Sequence, residues 1–179
     1  MLIGLAGYAG VGKDTAADVL VEEFDFRRVA FADPMREALE LLDPFICNGE
    51  QEPIRLCSLV QSCGWNQAKQ NAEVRRLLQA MGTEVGRNLL GQDLWVQLAA
   101  RKFVDRTVVT DTRFPNEARL IKQSGGVLVR LNRPGFGPVN DHLSDRAFDT
   151  WKYDHLIENE GTVEELHQQM RDLVGRLKL

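Results

Sequence analysis

Residues 7–15 read Gly-Tyr-Ala-Gly-Val-Gly-Lys-Asp-Thr, and no other stretch of this chain limits its fold so narrowly. The run before it, Met1 to Ala6, is short, apolar and ends at a glycine, as a buried strand does. After it, Ala16, Val19, Leu20 and Glu23 recur at helical spacing, so a helix is expected from Thr15 to Phe24. Strand, glycine-rich loop and helix in that order form the setting of a phosphate-binding loop. Glycines let the backbone bend until successive N–H groups point at one anion. The helix N-terminus adds partial positive charge, and Lys13 a full one for the β- and γ-phosphates. Gly7, Gly10, Val11, Gly12, Lys13, Asp14 and Thr15 are therefore the expected ATP cradle. One position departs from the simplest pattern. A hydroxyl directly after the lysine normally reaches Mg²⁺, but here Asp14 occupies that place. Asp14 either holds the ion through a water or caps the helix by accepting N–H groups. Thr15 is left to bond a phosphate.

Elements of the same two kinds alternate along the remaining chain. Strands are expected at 28–32, 106–111, 127–131 and 155–158, and helices at 93–103, 115–124 and 163–177. Asp33-Pro34 reads as an N-cap followed by proline at the first helical position, with the helix continuing to Leu42. Residues 43–70 hold Pro44, Gly49, Pro53, Gly64 and all three cysteines, and read as an irregular insertion or mobile lobe. Two helices, 73–81 and 85–90, are expected on either side of Gly82-Thr83. Residues 132–151 are polar and broken by proline and glycine, as in a surface flap.

Alternation of this kind implies an α/β domain with a mostly parallel sheet and helices on both faces. Ligands then bind at the carboxyl ends of the strands. The 179 residues suffice for one such domain. A net charge of −4 weighs against a nucleic-acid or membrane-surface partner. With too short an apolar start for a signal peptide and no apolar run of membrane length, a cytoplasmic location is expected. Cys47, Cys57 and Cys63 lack a zinc spacing and read as reduced thiols.

The strand ends carry the other candidates. Asp111 closes the β-branched run Val108-Val-Thr-Asp111, where a Mg²⁺-holding carboxylate would face the loop. Arg113 follows at once, placed to stabilise transferred charge. Glu117 is open to two readings, a site residue or a helix-start acid favoured by the dipole. Arg133 stands at the root of the flap and is better placed than Arg130 within the strand; His142 lies inside the flap. A closing flap excludes water, which would otherwise hydrolyse the triphosphate. In Phe31-Ala-Asp-Pro-Met-Arg36, Asp33 is a cap or a site residue. Arg36 is a solvated helix residue or a clamp on an acceptor phosphate.

Several blocks occur in a fixed order. They are Gly7-x-x-Gly-x-Gly-Lys-Asp-Thr15, Phe31-Ala-Asp-Pro34, Leu78-Gln-Ala-Met-Gly-Thr-Glu84 with Gly86-Arg87 and Trp95, Thr110-Asp-Thr-Arg-Phe-Pro-Asn-Glu117, Arg133-Pro134 and His142-Leu-Ser-Asp145. Together they resemble the deoxynucleoside monophosphate kinases typical of bacteriophages, over nearly the whole chain. Asp145 stands where glutamate would be expected, and no pattern is recognised from Ile46 to Ala72.

The resemblance implies a single nucleoside monophosphate kinase-like domain over 1–179. Its P-loop NTPase-type core would comprise 1–34, 92–131 and 152–179, with a small helical monophosphate-binding lobe at about 35–91 and a lid at about 132–151. It implies an enzyme that transfers the γ-phosphoryl group of ATP to a deoxynucleoside monophosphate with Mg²⁺. Lys13, Asp111, Arg113 and Arg133 would be catalytic, with Mg²⁺ held by Asp111 and, through water, Asp14. Asp33, Arg36, Glu84, Arg87, Trp95, Glu117 and His142 would serve the acceptor. The partners expected are nucleotides, with neither nucleic acid nor membrane; the oligomeric state, a homodimer included, is open. The rival readings are a related P-loop kinase of the dephospho-coenzyme A or phosphomevalonate type, and a P-loop regulatory module.

Overall fold

The computed structural model describes residues 1–47, 52–137 and 151–177. It divides into two compact units, Met1–Phe31 with Ala100–Leu179, and Ala32–Ala99. The core was expected at 1–34, 92–131 and 152–179 and the lobe at about 35–91.

The first unit is built on a five-stranded sheet. Its strands are β1 (Leu2–Ala6), β2 (Arg27–Val29), β5 (Thr107–Thr112), β6 (Val127–Asn132) and β7 (His155–Glu158), in the order β2-β5-β1-β6-β7. Every pairing is parallel. β1 is central: Ile3 stands opposite Val108 on one side and Val127 on the other. All five residues of β1 are buried, because a parallel sheet is covered on both faces.

Period-two alternation sorts those faces. Ile3, Leu5, Val129 and Leu131 share a core with Ala16 and Leu20 of α1 (Lys13–Phe24) and with Leu166, Met170 and Leu173 of α7 (Val163–Arg176). Gly4 points the other way. There Ile121 of α6 (Pro115–Gln123) lies so close that a Cβ on Gly4 would sit 2.4 Å from its Cδ1. The parallel α/β arrangement with helices on both faces is thus present. At its outer edge Arg171 of α7 grips the carboxylate of Glu23 of α1 through two bonds of 2.9 and 2.8 Å.

The second unit comprises α2 (Asp33–Leu42), the hairpin β3 (Phe45–Ile46) and β4 (Ile54–Arg55), α3 (Leu56–Ala68), α4 (Ala72–Gln79), a π-helix (Ala80–Leu90) and most of α5 (Leu94–Ala100). Leu39, Ile46, Leu56 and Val74 form its core. Three expectations need correction here. Residues 43–70 are not irregular throughout, since they hold the hairpin and α3, whose helical path is interrupted only at Gly64 (φ 74°). No gap separates α4 from the following helix: the chain runs on through Gly82 and Gly86 as π-helix. Gly82 marks a close approach instead of a break, and Gly86 marks another. A Cβ on Gly82 would meet Met35 Sδ at 2.8 Å, and one on Gly86 would meet the Trp95 indole at 2.2 Å. Asp33 is not the cap of α2. Ala32 occupies that place, and the Asp33 carboxylate accepts from Arg36 Nη1 at 3.3 Å.

The three cysteines are free. Among the described residues no helix is long and apolar enough to cross a membrane.

Candidate active site

The loop between β1 and α1 leaves the carboxyl end of the central strand. Gly10 adopts φ 81° and carries the Phe136 ring against its α-carbon; a Cβ there would lie 2.5 Å from the ring. Gly12, at φ 98°, is the N-cap of α1 and lets the chain turn into the helix without a side-chain cap. Lys13 opens the helix and folds back. Its Nζ donates to the carbonyl oxygens of Gly7 at 2.8 Å and Tyr8 at 2.7 Å. The pKa of Lys13 falls to about 8, chiefly through burial and next through the nearby Arg113 cation, with Asp14 and Asp111 opposing. Two cations thus converge on a loop whose helix terminus is itself positive, an arrangement that an anion relieves.

Asp111 is half-buried at the end of β5, and its Oδ1 accepts the backbone N–H of Phe31 at 2.7 Å. Asp14 is exposed, and its carboxylate takes a hydrogen bond from Arg28 of β2. Arg28 also reaches Asp18 at 3.3 Å. The capping alternative for Asp14 fails: the residue lies inside the first helical turn, and its side chain reaches across to β2. The Thr15 carbonyl meets His167 Nε2 at 3.1 Å.

Arg113 is exposed just beyond β5. Glu117, at the third position of α6, is buried, and its Oε2 accepts the N–H groups of Arg113 at 2.7 Å and Phe114 at 2.9 Å. These two bonds match the helix-start reading, and through them Glu117 fixes the backbone of Arg113. Arg130 donates to Asn132 Oδ1 at 3.0 Å and lies near the rings of Tyr8 (6.0 Å) and Tyr153 (5.6 Å). Arg133 stacks on Phe136 at 5.1 Å, beside the ring that covers Gly10. His142 and most of the expected lid lie outside the described residues.

One residue at this site was passed over in the sequence. Asn159, just past β7, is 5% exposed and donates from Nδ2 to the Val11 carbonyl at 3.0 Å. It follows a strand end, the signal that picked out Asp111. However, Asn159-Glu-Gly161 reads as an ordinary turn.

The remaining candidates belong to the second unit. Arg36 lies 6.0 Å from the Trp65 ring, whose Nε1 donates to Glu40 at 2.7 Å. The Nε of Arg36 is buried and has no hydrogen-bond acceptor among the described residues. Trp95 is buried and spends its indole N–H on the Gly82 carbonyl at 2.9 Å. Arg87 reaches the Gln92 carbonyl at 3.4 Å, and Glu84 is exposed on the π-helix. The structure thus gathers Lys13, Asp111 and Arg113 around the loop, and places Asp33 beside Arg36.

A family model described as deoxynucleotide monophosphate kinase matches residues 49–170. An Acanthamoeba polyphaga mimivirus protein provisionally given that name is 31% identical over 95% of this chain and 94% of its own length. The deoxynucleotide monophosphate kinase of Escherichia phage RB69 is 31% identical over 56% of this chain, and that of Enterobacteria phage T4 28% identical over 60%. Those matches span less than half of either phage protein, 44% and 47%. Among solved structures, shikimate kinase from Aquifex aeolicus superposes over 100% of this chain and 99% of its own. Its TM-score is 0.51 at 13% identity, a likeness of fold.

Proposed function

This chain belongs to the deoxynucleotide monophosphate kinase family, and on that premise we propose that it transfers the γ-phosphoryl group of ATP to a deoxynucleoside monophosphate, giving ADP and the diphosphate. The observation that carries the reading is the half-buried ammonium of Lys13. It is held on the loop carbonyls within electrostatic reach of Arg113, and its pKa is pressed down to about 8. Two cations so close to a helix N-terminus favour a polyanion over any neutral ligand.

In this reading the backbone N–H groups of residues 7–13 and the Lys13 ammonium bind the β- and γ-phosphates. Arg113 and Arg133 neutralise the phosphoryl group as it moves. Arg36, with a buried and unsatisfied guanidinium nitrogen, receives the acceptor's phosphate, and Arg87 assists it. Arginine suits both tasks because its planar fork donates paired hydrogen bonds. The acceptor atom is already a phosphate oxygen, so positioning and charge neutralisation supply most of the rate.

Mg²⁺ fits the donor set. Among the described residues no cluster of three carboxylates, histidines or cysteines could hold a metal without help. The half-buried carboxylate of Asp111 lies within electrostatic reach of Lys13. Mg²⁺ asks for little more from protein, being held by one or two carboxylates, waters and the phosphates themselves. Asp111 would hold it, with Asp14 reaching it through water; when bound it neutralises charge on the β- and γ-phosphates.

The test is ADP release measured with each deoxynucleoside monophosphate, with dephospho-coenzyme A, with phosphomevalonate and with no acceptor. Stimulation by at least one deoxynucleoside monophosphate is expected. Stimulation only by another acceptor, or by none, overturns the reading.

A further inference from the structure

Two hydrogen bonds and one close approach converge on Asn159. Its backbone N–H donates to the Asn132 carbonyl at 2.8 Å, which fixes the origin of its side chain. Its Nδ2 donates to the Val11 carbonyl at 3.0 Å, across 148 positions of sequence. Its amide also lies against Gly12, where a Cβ would stand 2.7 Å from Nδ2 and 3.2 Å from Leu166. Val11 is wholly buried, so its carbonyl has exchanged water for the Asn159 amide.

The Val11 carbonyl and the Gly12 N–H belong to one peptide group. In a trans peptide they point to opposite sides. A carbonyl held towards Asn159 and Leu166 therefore turns the Gly12 N–H away from that core side. Gly12, at φ 98°, has no Cβ, so sterics alone do not fix the orientation of this peptide. We infer that Asn159 is a positioning residue which, by locking the Val11–Gly12 peptide, aims the Gly12 N–H at the triphosphate. The role rests on the phosphate-loop reading above and deepens it. Asn159 acts through the loop and touches no reacting atom.

The probe is inorganic tripolyphosphate, which carries the anion without base or sugar. Its dissociation constant is measured by calorimetry for the full chain, beside that of ATP. Asn159→Leu keeps the volume and removes the donor. The expected result is at least about tenfold weaker binding of both probes, the scale of one misplaced donor to a charged group, with the KM for the monophosphate unchanged. Should Asn159→Leu not fold, Asn159→Asp decides. Its carboxyl can donate only when protonated, so its tripolyphosphate affinity relative to the unmutated chain should rise as pH falls. Equal affinity in Asn159→Leu, or a flat ratio across pH in Asn159→Asp, overturns the role. Loss of ATP binding with tripolyphosphate binding intact also overturns it, since Asn159 would then serve the base. Failure of the unmutated chain to bind tripolyphosphate would instead count against the phosphate-loop reading itself.

Discussion

The carboxylate of Glu117 holds the backbone N–H of Arg113 at 2.7 Å. The same oxygen takes the N–H of Phe114, so one buried acid fixes the turn between β5 and α6. Glu117→Ala strands both donors and should destabilise the fold by about 1–3 kcal/mol. Glu117→Gln retains a carbonyl oxygen at the same reach and should recover most of that stability. If the acid works only through Arg113, Glu117→Gln keeps near-normal kcat and an unchanged KM for the monophosphate. Urea unfolding with steady-state kinetics on the two variants checks this. A large rise in acceptor KM for Glu117→Gln would return Glu117 to direct contact with substrate.

Lys13 is expected to set the alkaline limb of activity. Burial and Arg113 lower its pKa to about 8, so the free enzyme loses the ammonium as pH rises through that value. The kcat/KM for ATP, which reports the free enzyme, should fall above about pH 8. The kcat should hold to higher pH, because bound phosphates favour the charged form. The sign for folding is opposite. A lysine with a lowered folded pKa weighs against folding below about pH 8, and that cost is relieved as pH climbs towards the ordinary lysine value of 10.5. Lys13→Ala should lower turnover at least about 100-fold, the loss expected for one preorganised charge contact, and should abolish the alkaline limb. Near-normal turnover in that variant would remove the central claim.

The arginines should separate by function. Arg36 and Arg87 are assigned to the acceptor, and Arg113 and Arg133 to the moving phosphoryl group. Arg36→Lys and Arg87→Lys keep charge but lose the planar fork, so each should raise the KM for the monophosphate and leave the KM for ATP nearly unchanged. Arg133→Lys should mainly lower kcat. An equal rise of both KM values in Arg87→Lys would contradict the division.

What the sequence disclosed follows from how local each signal is. The phosphate loop, the buried β1 and the closing α7 are written in contiguous residues, and the structure places them where the pattern put them. Gly82-Thr83 was misread as a break, and the packing at Gly86 went unseen, because a glycine's spacing does not reveal the neighbour pressed against it. Met35 and Trp95 are those neighbours. Asp33 looked like a cap by composition, yet the helix begins a residue earlier and its carboxylate serves Arg36. Asn159 was invisible for the same reason, since its partner Val11 stands 148 positions away. Residues 43–70 read as irregular because their strands are only two residues long and each follows directly on a proline, Pro44 or Pro53.

The central place of β1 also governs when the site can come into being. The strand that carries the loop waits for β5 and then β6, each roughly a hundred residues or more behind it. Residues 32–99 are contiguous and draw their core from Leu39 to Val74, so they can condense while β1 still lacks both partners. Contacts this distant in sequence form slowly, because the intervening chain must be ordered before they are made. A nascent chain halted before Val127 would carry every residue of the loop and yet have no finished strand to hang it on. Competence to grip a triphosphate therefore arrives only with β6, long after the residues of the loop themselves have been made.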